Sequence, residues 1–386
     1  MVLSGVFLVF SLAQAAPRVP AAPPREQRPT AAKDADVAAI ASGWTAMDAG
    51  RYDAAVKAAD TVLQRRPWDR AAHVLRIQAS ARLSAERGLD AYERWLKTAR
   101  AEDATMIEPV AVAVLQEIAA GPKPELRVPA LRALLLARVA GARDAIAALG
   151  TASDAQLQLD LDAARAGDAA ATERLTRLAA DPGGSPAVAQ ALGEIGAPGE
   201  PGLLRLLTSQ NPQSRAAAVE ALGGVKSDAA RAAVAALKQD PDPAVRSATT
   251  ITLARMGDQD AMATVNSMLA SGIPDVQIMA ARAFEGRPGP WVDVIRPLLD
   301  NRSGLTRLEA AAAIAPVDPP AARRVLEAAL SDPNPVIRYE SARTIQETPA
   351  LGAADTDIST LRQRLRDADP GVRLAAAGAL LRLARQ

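Results

Sequence analysis

Arginine recurs along the second half of the sequence, each time at the same distance after an Asp, Asn or Ser residue. A guanidinium offers a planar fork of N–H donors that matches the two oxygens of a carboxylate. Two interpretations are open: each arginine bonds an aspartate or a carbonyl in the turn before its helix, or the side chains together form a basic groove for an acidic partner. The five candidate partner-binding residues, each four residues after an Asp, Asn or Ser, are Arg215, Arg246, Arg307, Arg338 and Arg373.

Residue types that support catalysis are scarce. His73 is the only histidine, and the chain has no cysteine. One His without Cys gives no recognisable zinc site, and catalytic triads lose their usual base. The glycine-rich stretch 183–202 lacks the preceding strand and the following lysine of a phosphate loop, so its glycines are interpreted as helix ends. We therefore predict no catalytic, cofactor-binding or metal-binding residue, no cofactor and no enzyme activity.

A short phrase marks the elements that carry the arginines. It reads DPDPAVR from 240, DPNPVIR from 332 and DADPGVR from 367. Asp or Asn accepts hydrogen bonds from the first free N–H groups of a helix, and Pro at the next position lacks the N–H that would be unpaired there. Each phrase therefore predicts a helix start. With their equivalents, the predicted starts follow Asp181, Asn211, Asp242, Ile273, Ser303, Asn334 and Asp369, at intervals of 30, 31, 31, 30, 31 and 35 residues.

Apolar residues accompany every predicted start. One lies eleven positions after it, and a second helical stripe precedes it, as in PGLLRLLTS and RAAVAALKQ. Each unit is therefore a helical hairpin, and a hairpin of about 31 residues cannot cover its own apolar face. We predict an all-α protein, an α-solenoid in which stacked hairpins form a superhelix and the second helices line its concave side. Arg382 and Arg385 in the last helix predict a polar end cap.

The repeating unit resembles the short HEAT-like repeats of many bacterial proteins, including relatives of phycobilisome lyases. This resemblance covers about Asp181 to Gln386, and earlier helical stretches extend the predicted array to 101–386. Residues 36–100 resemble tetratricopeptide repeats, in which small residues let two helices approach closely and Pro ends the second one. The residues that carry this second resemblance are Gly50, Tyr52, Ala55, Ala59, Val62 and Pro67.

The first residues predict export. An apolar run from Val2 to Leu12 is followed by Ala13-Gln14-Ala15, the small-x-small pattern of a signal-peptidase site. Residues 1–16 are therefore predicted to be a signal peptide. A misassigned start codon or a retained anchor is the alternative, because no Lys or Arg precedes the apolar run. Residues 17–35 hold five prolines and are predicted to be a disordered linker. The expected location is the periplasm or the outside of the cell.

These observations favour an interaction protein. Repeat arrays present a long curved surface, so we predict a non-enzymatic scaffold that binds a protein or peptide partner on its concave face. The family resemblance alone implies an alternative, a phycobilin-lyase-like enzyme or an accessory subunit of an envelope enzyme complex. The formal net charge of +1 argues against a nucleic-acid partner. No stable membrane insertion is expected after signal cleavage, and the oligomeric state stays open.

Overall fold

The computed structural model describes residues 30–149, 153–181, 184–225, 227–284, 286–351 and 355–385. Every regular element in these ranges is a helix, and the helices stack as hairpins, which confirms the predicted all-α solenoid. The predicted signal peptide and residues 17–29 of the predicted linker lie outside the described residues. The first helix begins at Thr30, so the linker prediction overlaps it from that residue onward. None of the described helices is both long and apolar enough to cross a membrane.

The N-terminal part consists of two antiparallel helical hairpins, followed by three further helices. Gly88 shows why small residues are needed there, since a Cβ at Gly88 would lie 2.9 Å from the Cα of Ala81 in the preceding helix. The tetratricopeptide assignment of residues 36–100 stays a prediction. The helices are α1 (Thr30–Asp48), α2 (Tyr52–Arg65), α3 (Arg70–Leu83), α4 (Ala85–Ala99), α5 (Ala104–Ala120), α6 (Pro124–Leu136) and α7 (Ala142–Ala147).

The array of helical hairpins follows, and the second helix of each hairpin packs along the stack against those of its neighbours. We call α10, α12, α14, α16, α18, α20 and α22 the inner helices. The array consists of α8 (Ser153–Arg165), α9 (Ala169–Leu178), α10 (Pro186–Glu194), α11 (Glu200–Leu206), α12 (Pro212–Val225), α13 (Asp228–Ala235), α14 (Pro243–Arg255), α15 (Gln259–Leu269), α16 (Pro274–Ala281), α17 (Trp291–Ile295), α18 (Gly304–Ile314), α19 (Pro319–Ala329), α20 (Pro335–Glu347), α21 (Asp355–Arg364) and α22 (Pro370–Leu383).

The predicted helix starts are correct for six of the seven inner helices, α12 to α22. At α14 and α22 the cap carboxylate accepts two backbone N–H bonds, as at Asp242 from Ala244 and Val245. The prediction is wrong at Asp181. There α10 begins at Pro186 after Ser185, whose extended backbone places the chain for a helix but whose side chain makes no capping bond.

The last helix closes the array on itself. α22 packs against α20 on one side and against α5 and α6 on the other. Ten of its residues are buried, and one continuous apolar core runs from Ile77 to Leu383. The predicted polar end cap is therefore wrong: Arg382 donates to the carbonyl of Ile345 at 2.8 Å, and Arg385 donates to the carbonyl of Ala137. Arg382 thus bonds the preceding hairpin, and Arg385 bonds the end of α6, because α22 packs against α5 and α6.

Candidate functional site

Three of the repeated arginines join one hairpin to the next. Arg215 binds both carboxylate oxygens of Asp240, from Nε at 2.9 Å and from Nη2 at 2.8 Å. Arg338 binds Asp367 in the same way, at 2.7 and 2.8 Å. Arg307 lies 4.0 Å from Asp332. The hydrogen bonds from Arg215 lower the pKa of Asp240, because they favour its charged form.

All five arginines also stabilise the turn before their own helix through hydrogen bonds to its backbone. Each Nη1 group donates to the backbone carbonyl of the residue six positions earlier. The acceptors are Ser209 at 2.7 Å, Asp240 at 2.7 Å, Asn301 at 2.9 Å, Asp332 at 2.9 Å and Asp367 at 2.7 Å. We call this set the arginine ladder. These bonds support its structural interpretation, while partner binding by the five residues stays a prediction.

A groove opens on the inner surface between α16, α18 and α20. Its volume is about 580 Å³. None of the five ladder arginines lines it, so the structure separates the predicted partner-binding residues from this surface. We call it the inner groove; the lining residues used below are Arg282, Leu305, Glu309, Ala312, Glu340 and Arg343.

The inner groove combines exposed apolar and charged side chains. Leu305, which lines the groove, is 47% exposed. Val336, at the equivalent place one hairpin later but outside the lining, is 53% exposed. Arg343 is neutralised by its own helix, since it binds Glu340 at 2.6 Å and Glu347 at 2.7 Å. Arg282 and Glu309, by contrast, are exposed and have no ion pair within the described ranges of the chain.

The repeat alignment contained a signal for the inner groove that the sequence reasoning missed. Nine positions after each predicted start, the residue type changes from unit to unit, whereas eleven positions after it the residue is always apolar. The column eleven positions on packs into the core and stays apolar. The column nine positions on is exposed or partly exposed in five units and buried in two, at Ile251 and Gly378, so its residue type is less constrained. The variable column contains Gln190, Glu220, Ile251, Arg282, Ala312, Arg343 and Gly378.

Comparison with known families decides the type of repeat. Residues 200–285, which include the first two ladder arginines, match the family of HEAT repeats. This stretch consists of HEAT repeats. No curated protein matches it in sequence.

Solved structures resemble the chain only loosely. Human deoxyhypusine hydroxylase in complex with glycerol is 20% identical, with 75% of this chain and 99% of that chain covered and a TM-score of 0.34. An engineered protein is 21% identical over 92% and 94% of the two chains, with a TM-score of 0.27. A Kap121p mutant is 14% identical over 86% and 40%, with a TM-score of 0.26. Likeness at this level says nothing about function.

The closing contact of the HEAT-like array, which we call the seam, is rich in ion pairs. Arg362 of α21 binds Glu93 at 3.2 Å and Glu102 at 3.1 Å. Arg366 binds three carboxylates of α4, those of Glu86, Asp90 and Glu93, at 2.6 to 2.9 Å. A cavity of about 820 Å³ lies beside these pairs, between α4, α5, α6 and the start of α22. We call it the seam cavity.

His73 is packed into the N-terminal hairpins. Its ring is 4% exposed, and Nε2 lies 2.8 Å from the carbonyl oxygen of Pro67. Burial lowers the pKa of His73, because a charged imidazole would lose its hydration. Among the residues that the structure describes, no three His, Asp or Glu side chains are grouped so that they could hold a metal ion.

Proposed function

We propose that this HEAT-like repeat protein is a non-enzymatic scaffold that binds an extended segment of a partner protein in the inner groove. The observation that carries the proposal is the exposed Leu305, which lines the inner groove together with Arg282 and Glu309. Val336, at the start of the next inner helix, is a second exposed apolar side chain outside the lining. HEAT-like arrays suit this role because their repeats build a rigid curved surface.

The apolar pair supplies the affinity in this proposal. Burying a large aliphatic side chain completely is worth about 1.5–3 kcal/mol, so two half-exposed ones contribute roughly 2 kcal/mol together. The repeat places Leu305 and Val336 at equivalent positions of α18 and α20. An extended segment that crosses the two helices would cover both side chains.

The charges supply orientation. Arg282, directly after α16, and Glu309 on α18 carry opposite charges on neighbouring hairpins. A bound segment with an acidic residue at one end and a basic residue at the other is favoured in one direction only, because reversal would place like charges together. The inner groove thus selects a dipolar, partly apolar segment.

We also propose that the protein works outside the cytoplasm. Support comes from the apolar run Val2 to Leu12 and the Ala13-Gln14-Ala15 pattern that follows it. Expression of the full chain, followed by mass measurement of the mature form, tests this. A mature chain that begins at Ala16 or Pro17 supports export, and an intact N-terminus in the cytoplasm contradicts it.

A random linear peptide library displayed on phage tests the binding site. Selection on the folded protein should enrich peptides that bind saturably, and Ala312→Arg should weaken them at least tenfold because it fills the inner groove. Ala263→Arg is the matched control, since Ala263 is exposed on α15, outside the groove. Enriched peptides that bind both variants equally, or a selection without enrichment, would contradict the proposal.

A further inference from the structure

Two of the five ladder arginines, Arg246 and Arg373, reach no carboxylate among the described residues. Arg215, Arg307 and Arg338 each reach the aspartate that stands three residues before the first residue of the following hairpin's inner helix, and Ser271 occupies that place after Arg246. At Arg373 the place of a following hairpin is taken by α4, α5 and α6, because the array closes there. These helices present no aspartate to Arg373 within the described part of the chain.

Arg373 lines the seam cavity instead. Its Nη1 group makes the usual bonds, to the carbonyls of Asp367 at 2.7 Å and Ala368 at 3.4 Å. Its Nε and Nη2 groups have no acceptor among the described residues. These are the two groups that bind the carboxylate in Arg215 and Arg338.

The acidic and basic side chains that line the seam cavity are equal in number, and Arg373 has no ion pair among the described residues. Glu86 is paired with Arg366 at 2.9 Å, and Asp367 is paired with Arg338 at 2.7 Å. The remaining charged lining residues are Glu117, Lys123 and Arg373, of which two are basic. A guanidinium with two free donors favours a carboxylate over a neutral or cationic group.

Apolar side chains form much of the rest of the seam cavity. Leu89 and Ile118 are buried, and Leu126 is partly buried. A cavity of about 820 Å³ is larger than a carboxylate needs, so the bound group must also bring apolar atoms.

We propose that the seam cavity binds a partner protein through an aspartate side chain, which completes the ladder on Arg373 while flanking apolar residues pack on Leu89, Ile118 and Leu126. The recognised segment has the chemistry of the array's own turns, Asp-x-Asx-Pro followed by an aliphatic residue, as in DPNPVI from 332. This site is separate from the inner groove, and it stands without the function proposed for that groove.

A short peptide provides the test. The probe is the fluorescently labelled nonapeptide LSDPNPVIR, residues 330–338, blocked at both ends, titrated against the full-length protein and followed by anisotropy. We expect saturable binding, weakened about tenfold or more when the peptide carries the Asp332→Asn change. Arg373→Gln should weaken binding equally. Arg246→Gln is the matched control, because Arg246 makes the same carbonyl bonds but does not line the cavity.

Two further variants serve as controls for this experiment. Lys123→Glu reverses an exposed charge at the cavity and should weaken binding several-fold with an unchanged unfolding midpoint, which separates a lost site from a lost fold. Ala312→Arg should leave binding unchanged. The proposal is overturned if the Asp and Asn peptides bind alike, if no saturable binding occurs, or if the Asn peptide binds only with a free C-terminal carboxylate, since the site would then recognise a chain end.

Discussion

Arg338 and Asp367 join two successive hairpins through a pair of parallel hydrogen bonds, 2.7 Å from Nε and 2.8 Å from Nη2. Their side chains are 13% and 3% exposed. Asp367 also accepts from the backbone N–H of Asp369 at 3.0 Å, so its carboxylate fixes the turn that precedes α22. The guanidinium of Arg338 thus stabilises the turn before its own helix, α20, and also holds the carboxylate of Asp367, which stabilises the turn before α22.

The first prediction concerns this pair. Arg338→Gln should lower the free energy of unfolding by about 2 kcal/mol, because it leaves the buried carboxylate of Asp367 without two charged donors. Arg246→Gln should cost about 1 kcal/mol, since Arg246 bonds only backbone carbonyls among the described residues. Urea unfolding of both variants measures the difference. Equal losses of unfolding free energy in the two variants would show that the hydrogen bonds from Arg338 to Asp367 do not contribute to stability.

The second prediction is a dependence on acid. The bonds from Arg215 lower the pKa of Asp240, and the bonds from Arg296 lower the pKa of Asp318. An unfolded Asp titrates near pH ~4. The stability that these groups contribute is therefore complete above that pH and is lost as the pH falls through their lower folded values. Asp240→Asn should show a smaller loss of stability between pH 6 and pH 3 than the unchanged protein, measured by urea unfolding at each pH. A parallel pair of curves would contradict this.

Local features of the fold could be predicted from the sequence, whereas the closure could not. A capping residue such as Asp242 accepts hydrogen bonds from backbone N–H groups two and three residues later. A few consecutive residues are therefore enough to predict the helix start. The seam joins Arg362 to Glu102, which are 260 residues apart. The contact between these two residues depends on the small rotation between each hairpin and the next, added up over the whole array. The sequence of a single repeat does not reveal that total rotation. Arg382 and Arg385 therefore suggested a solvent-facing end that the structure does not have.

The candidate site was also only partly predictable. The ladder arginines were found because they recur, and their bonds to backbone carbonyls were among the expected alternatives. The carboxylate connection was missed: Asp240 is bonded by Arg215 of the preceding hairpin, while Arg246, six residues after Asp240, bonds only its carbonyl. Spacing along the chain could not reveal a bond between hairpins.

The third prediction concerns the seam. Arg362 is 15% exposed and lies between Glu93 and Glu102, so Arg362→Glu would place three carboxylates together in a poorly hydrated site. We expect faster backbone hydrogen exchange along α22, because this helix separates from α5. Arg231→Glu on the exposed face of α13 is the charge-matched control and should leave α22 protected. Unchanged exchange in a folded Arg362→Glu protein would show that apolar packing alone holds the seam.

The last prediction compares two glycines on different helices. A Cβ added at Gly88 would lie 2.9 Å from both the Cα and the Cβ of Ala81, so α3 and α4 would have to move apart. Gly88→Ala should therefore lower the free energy of unfolding by about 2 kcal/mol, as overpacked cores do.

Gly224 lies near the end of α12 with nothing within 4 Å of the added atom. Gly224→Ala should raise the stability by about 0.5 kcal/mol, because alanine loses less backbone entropy than glycine on entering a helix. Thermal or urea unfolding shows which substitution lowers the free energy of unfolding and which raises it. If both substitutions stabilised the protein, the close approach of α3 and α4 at Gly88 would be wrong, and with it the reason that small residues occupy this part of the N-terminal hairpins.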